Sequence, residues 1–157
     1  MSELDCAGCQ GRRRFVIQTV ASVGGLWLIG GTPAFATGRR SADAEEISYP
    51  IPAADGVTID RDNEVILARK GNLVAAFALS CPHQRSMLKW EADDQRFQCT
   101  KHKSRYQLTG EFISGRATRH MDRYPVRREG GKVIVSIDAA IESDKDAKGW
   151  GAAVVAL

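Results

Sequence analysis

Aromatic residues are scarce in this chain, with three Trp, three Tyr and five Phe among 157 residues, while glycine reaches 15. That balance points to a small, loop-rich fold with many tight turns. Charge of one sign is also lacking: the net charge is only +3, too little to argue for nucleic acid. Hydrophobic residues at 43% and charged residues at 26% are ordinary values that exclude both disorder and a multi-span membrane protein. After residue 40 no segment keeps a helical period over three turns, so an α-helical architecture is excluded as well. Four cysteines and three histidines complete the short supply. Outside Cys6 and Cys9, the chain has only Cys81 and Cys99, so no structural disulfide forms in the body unless those two make it. The length is that of one ordinary domain.

The amino end has an organisation of its own. Gly11-Arg12-Arg13-Arg14-Phe15-Val16-Ile17 opens a run without charge from Phe15 to Gly38, closed by the small-x-small triplet Ala34-Phe35-Ala36. A basic start, an apolar middle and a cleavable triplet make a secretory signal, and the paired arginines resemble the twin-arginine type read by a dedicated export machinery. Residues 1–36 therefore read as a twin-arginine signal cut after Ala36, or as a membrane anchor through residues 15–36. Cys6 and Cys9 precede the arginines and are assigned no role. Polar residues 37–46 read as a linker.

From Ile47 onward the pattern is β. Val57–Ile59, Val65–Ala68 and Leu73–Leu79 are short apolar or β-branched runs separated by Asp60-Arg61-Asp62-Asn63 and Lys70-Gly71-Asn72. Tyr124–Arg128 and Lys132–Ile137 flank Glu129-Gly130-Gly131 as a hairpin. Residues 47–138 form the expected domain, and 139–157 a tail with at best a short polar helix.

The chemistry lies in two loops. Cys81-Pro82-His83 is followed, fifteen residues on, by Cys99-Thr100-Lys101-His102. Zinc sites of two Cys and two His usually take both thiolates from one turn and both imidazoles from one helix. Here each loop offers one of each, which suits a two-iron cluster with both Cys on one iron and both His on the other. A zinc site and a chance pairing of core cysteines with satisfied histidines are the competing readings. Residues 81–128 carry eleven Lys/Arg against five Asp/Glu, so the basic charge gathers on the same segment, as a solvated face or a docking surface.

At these residues the sequence resembles the Rieske 2Fe-2S protein family, whose ligand pattern is Cys-x-His and Cys-x-x-His. The likeness spans about residues 45–138. It implies an antiparallel all-β Rieske fold with a base subdomain and a cluster-binding subdomain, a Rieske-type 2Fe-2S cofactor, Cys81 and Cys99 on the inner iron, and His83 and His102 on the outer one. Ser104 and Tyr106 match the positions from which high-potential members place a hydroxyl on a bridging sulfide and a phenol on a cysteine sulfur. Two departures stand out. Where Rieske subunits of cytochrome bc complexes carry a loop disulfide, this chain has Ser86 and Lys101, so packing through Met87, Leu88 and Trp90 is expected to hold the loops. Where those proteins carry a proline-rich loop, it reads Ile113-Ser114-Gly115-Arg116-Ala117-Thr118, closer to arsenite oxidase small subunits.

A Rieske oxygenase needs a second iron held by two His and a carboxylate, and only His120 is left over. His120 reads as an exposed surface residue. The expected function is that of a periplasmic electron-transfer protein, soluble or anchored, with no catalytic site of its own. It would be a subunit of a larger quinol- or substrate-oxidising oxidoreductase, with a redox protein and a quinol among the expected partners. The alternative is a free-standing ferredoxin-like carrier.

Overall fold

The computed structural model describes residues 45–157; the predicted signal or anchor and most of the predicted linker lie outside them. The order of elements is β1 (Glu46–Pro50), β2 (Gly56–Asp60), β3 (Val65–Lys70), β4 (Leu73–Ala78), β5 (Leu88–Glu91), β6 (Arg96–Cys99), β7 (Arg105–Gln107), β8 (Phe112–Ser114), β9 (Arg123–Tyr124), β10 (Val126–Glu129), β11 (Lys132–Ser136), α1 (Ala147–Ala152) and β12 (Val155–Ala156). Every strand pairing is antiparallel.

Three sheets result: β1-β11-β10, β12-β4-β3-β2 with β9 added against β4, and β5-β6-β7-β8. Side chains alternate across a strand, and in β3 and β4 both alternating sets are buried. Ile66, Ala68, Ala75 and Phe77 face one core, shared with Leu88, Phe97, Tyr106 and Met121 of the β5–β8 side. Val65, Leu67, Val74 and Ala76 face another, shared with Val133 and Val135 of β11. The unbroken apolar reading of Leu73–Leu79 follows from that two-sided burial. Removing such side chains from water stabilises the fold by about 1.5–3 kcal/mol each.

Turn chemistry sets the hairpins. Asp60 ends β2, and its carboxylate accepts from the Asp62 and Asn63 backbone N–H groups, both at 3.1 Å, and from Asn63 Nδ2 at 2.7 Å. Between β7 and β8 the chain turns at Gly110, φ +82°, where a Cβ would lie 2.3 Å from Phe77 Cε1. Glycine lets this turn rest directly on the core of the middle sheet.

Residues 139–157, expected as a tail, belong to the folded body. Trp150 is 7% exposed, its Nε1 donates to the Met121 carbonyl at 2.7 Å, and β12 pairs with β4 through Val155↔Val74. The Arg123 guanidinium lies 3.5 Å from the Trp150 ring centroid and donates to the carbonyls of Trp150 and Thr109, both at 2.7 Å. Burial lowers the Arg123 pKa to about 10. The polar run 142–148 conceals this anchoring because one aromatic residue carries it. The predicted linker overlaps β1 at Glu46, which pairs with Ser136.

Candidate metal centre

The β5–β8 sheet carries two turns built on one plan. In the first, the Arg85 N–H donates to the Cys81 carbonyl at 2.8 Å and the Cys81 N–H donates to Ser86 O at 2.8 Å. In the second, the Lys103 N–H donates to the Cys99 carbonyl at 3.2 Å and the Cys99 N–H donates to Ser104 O at 2.8 Å. Arg85 and Lys103 occupy the same place in each and both have positive φ, 51° and 59°. The sequence signal is Cys-x-x-x-(Arg/Lys)-Ser, present as Cys81…Arg85-Ser86 and Cys99…Lys103-Ser104 and easily overlooked. Tight turns of this kind fold backbone N–H groups back toward the cysteine that opens them.

Those N–H groups act on the thiols. Burial raises the Cys81 pKa, against a phenol hydrogen bond from Tyr106 and the backbone N–H of His83. Burial opposes ionisation of Cys99 too, but backbone N–H groups of His102, Lys101 and Lys103, together with Cys81, outweigh it and lower its pKa. Both cysteines are free and 1% exposed. Tyr106 is fully buried with its hydroxyl 3.3 Å from Cys81 Sγ. Burial, and then the contact with Cys81, push the phenol pKa up, so it stays a donor.

Ser104 is also fully buried. Its Oγ accepts the N–H groups of Arg116 and Ala117, both at 3.1 Å, which leaves its own proton free to be donated. The approach depends on Gly115, φ +119°, where a Cβ would meet Ser104 Cα at 2.4 Å. The 115–117 segment thus fixes the serine, a supporting role that sequence reasoning missed.

The imidazoles form the outer pair. His83 Nδ1 and His102 Nδ1 lie 3.1 Å apart with rings at 77°, and both residues are partly exposed. Burial, then the charges of His83, Arg116 and Lys101, lower the His102 pKa and favour a neutral ring with a lone pair. A tetrahedral metal binding two nitrogens at about 2.0–2.1 Å separates them by about 3.4 Å, near the spacing observed. The donors thus come as two pairs, thiols inside and imidazoles outside, and the donor set fits a two-metal centre with unlike ends.

The loops are joined differently from expectation. Leu88 is buried opposite Cys99 and Trp90 packs on Phe97 at 4.8 Å, but the Met87 side chain is 46% exposed and its sulfur faces Arg61 Nη1 at 3.0 Å. What joins the loops at Met87 is its carbonyl, which accepts both the N–H and the Oγ1–H of Thr100, at 3.1 and 3.0 Å. His120 is not a free surface residue either. Its Nδ1 accepts the Phe112 N–H at 2.9 Å and its ring packs on Trp150 at 4.7 Å.

An antiparallel fold that brings paired thiols and imidazoles together on two turns suits an iron–sulfur protein. The chain belongs to the Rieske [2Fe-2S] domain family, whose model matches residues 44–125. Its cofactor is the 2Fe-2S cluster of that family. Among relatives, it is 33% identical over 75 residues to the cytochrome b6-f complex iron-sulfur subunit of Chlorobaculum thiosulfatiphilum. It is 30% identical over 76 residues to the subunit of the same name in Chlorobaculum tepidum. Each alignment covers 48% of this chain, and 41% and 42% of the relatives, so the chain spans well under half of their length. The plasma membrane Rieske protein PetC3 of Synechocystis PCC 6803 aligns over 51% of this chain and 83% of its own, at 22% identity and a TM-score of 0.44.

Proposed function

We propose that Cys81 and Cys99 ligate one iron and His83 and His102 the other, and that the chain is the periplasmic electron-transfer subunit of a larger respiratory oxidoreductase, oxidising a quinol or another reduced substrate. The observation that carries the ligand assignment is the split of the donors, with buried thiols beside Tyr106 and a half-exposed imidazole pair with Nδ1 facing Nδ1 at 3.1 Å. The cluster, when bound, supplies one-electron redox chemistry. The chain's own residues do the rest. Tyr106 and the backbone N–H groups of residues 83 and 101–103 donate to the cysteine sulfurs and favour the electron-rich state. Ser104, held by two incoming N–H bonds, hydrogen-bonds the Tyr106 phenol and supports that donor. With Nδ1 turned inward, each imidazole keeps Nε2 as the atom at which a proton is held or released.

The respiratory assignment draws on the relatives named as cytochrome b6-f subunits, and the periplasmic one on the Arg12-Arg13 signal of the sequence. Fractionation followed by gentle detergent purification tests both. The expected outcome is a periplasm-facing protein that co-purifies with a larger redox subunit, and retention in the cytoplasm when Arg12 and Arg13 are both replaced by Lys. Recovery as a lone soluble periplasmic chain would favour the free-standing carrier, and a cytoplasmic wild type would contradict the export reading.

A further inference from the structure

Three segments surround the imidazole pair: 81–87, 99–106 and 113–118. Together they contain five Lys or Arg and no Asp or Glu. All five, Arg85, Lys101, Lys103, Arg105 and Arg116, are exposed. None makes an ion pair with another described residue, whereas Arg69, Lys89, Arg96, Arg119, Arg127 and Lys145 do so elsewhere. The shared turn plan explains part of the pattern, since it sets Arg85 and Lys103 at equivalent positions beside the two cysteines. Lys101 and Arg116 lie close enough to His102 to act on it electrostatically.

Apolar contact sits within the same rim. Among the described residues, Met87 at 46% and Ile113 at 49% exposure are two of the three large hydrophobic side chains left open to solvent, and both belong to these segments. The Glu91 carboxylate acts on the basic group from outside these segments, through Lys103; the remaining like charges repel one another, and a partner of opposite sign relieves that repulsion while steering the encounter. Apolar side chains ringed by charge are the usual anatomy of a protein docking site. An interfacial lipid surface calls for a broader apolar face rich in Trp, Phe and Leu, and would cover the imidazoles through which the electron passes.

We infer that this basic rim is the docking surface for an acidic redox protein, one that presents carboxylates around its own redox group. The inference rests on the electron-transfer reading above. In the docked pair one electron leaves the reduced cluster and the partner's metal gains it, with no bond made or broken.

The test is stopped-flow oxidation of the reduced, cluster-loaded full chain by an acidic and by a basic c-type cytochrome of similar potential. Ionic strength is varied from about 0.01 M to about 1 M, over which the Debye length shrinks from about 30 Å to about 3 Å. The rate with the acidic cytochrome should fall at least about tenfold, and the rate with the basic one should stay level or rise. The combined variant Arg85→Gln, Arg105→Gln, which removes two of the five exposed charges and leaves every proposed ligand and sulfur donor in place, should keep the spectrum of the reduced cluster and lose a large part of that salt dependence. The wild-type comparison of the two cytochromes stands without the variant. Equal salt dependence for both cytochromes would overturn the inference, as would undiminished dependence in a variant that keeps its cluster. Binding of the wild type to phosphatidylglycerol vesicles without any preference between cytochromes would overturn it in favour of a lipid surface. Failure to reduce either cytochrome from an intact reduced cluster would contradict the electron-transfer reading itself.

Discussion

In β3 and β4 the structure is secured by side chains: Ile66, Phe77, Val65 and Val74 are fully buried on the two faces of one sheet. In the cysteine turns it is secured largely by backbone, through N–H groups closing on carbonyls and sulfurs and through the close approach of Gly115 to Ser104. The middle sheet thus has a source of stability independent of the cofactor, while the turns add to the burial of Cys81, Cys99 and Tyr106 only hydrogen bonds and the cofactor itself. Metal binding then contributes its free energy to the turns first.

Removing the iron should therefore have the largest effect and a local one. Chelation should expose the amides of residues 81–87 and 99–106 to hydrogen exchange while those of β3 and β4 stay protected. Simultaneous loss of protection in both regions would erase the contrast.

Paired substitutions sharpen it. Phe77→Ala should cost about 3–5 kcal/mol of global stability, seen as a lower denaturant midpoint, because it empties a core site. Gly115→Ala should cost about 1–3 kcal/mol, since it forces a positive φ and overlaps Ser104, and should lower cluster occupancy more than the denaturant midpoint. A Gly115→Ala protein with full cluster occupancy would show that the glycine contact does not position the serine.

Tyr106→Phe removes one donor to Cys81 and leaves the four proposed ligands. A hydrogen bond of about 0.5–1.5 kcal/mol corresponds to a fall in midpoint potential of roughly 20–65 mV for one electron. Protein-film voltammetry reads it directly, and an unchanged potential would place the phenol out of reach of the cluster.

The smallest effect concerns the cluster-free protein. The folded His102 pKa lies below its unfolded value, so the unfolded chain binds more protons across that interval and stability rises with pH there. The contribution is present above the ordinary histidine range and is lost as pH falls through it. Urea titrations should show that loss in wild type and not in His102→Gln.

Much of this contrast was legible beforehand, but unevenly. The Cys81/His83 and Cys99/His102 motif, the runs that became β3 and β4, and the β10–β11 hairpin stand out because ligand spacing, two-sided burial and the Glu129-Gly130-Gly131 turn leave strong patterns. Strands β5 to β8 do not, being three or four residues long with polar positions such as Lys89 and Gln98 between the buried ones. The backbone donors of residues 101–103 leave no side-chain signature. Trp150 and His120 meet only through tertiary packing between segments thirty residues apart, which no local period encodes.

The cluster should have unlike ends, set by buried thiols and partly exposed imidazoles. Mössbauer spectroscopy of the reduced, iron-57-enriched protein tests it most directly. The expected spectrum has one ferric site in an all-sulfur environment and one ferrous site of mixed nitrogen and sulfur ligation, with the ferrous signal altered or lost in His83→Ala and His102→Ala. Two iron sites of equal sulfur ligation, unaffected by either substitution, would contradict it.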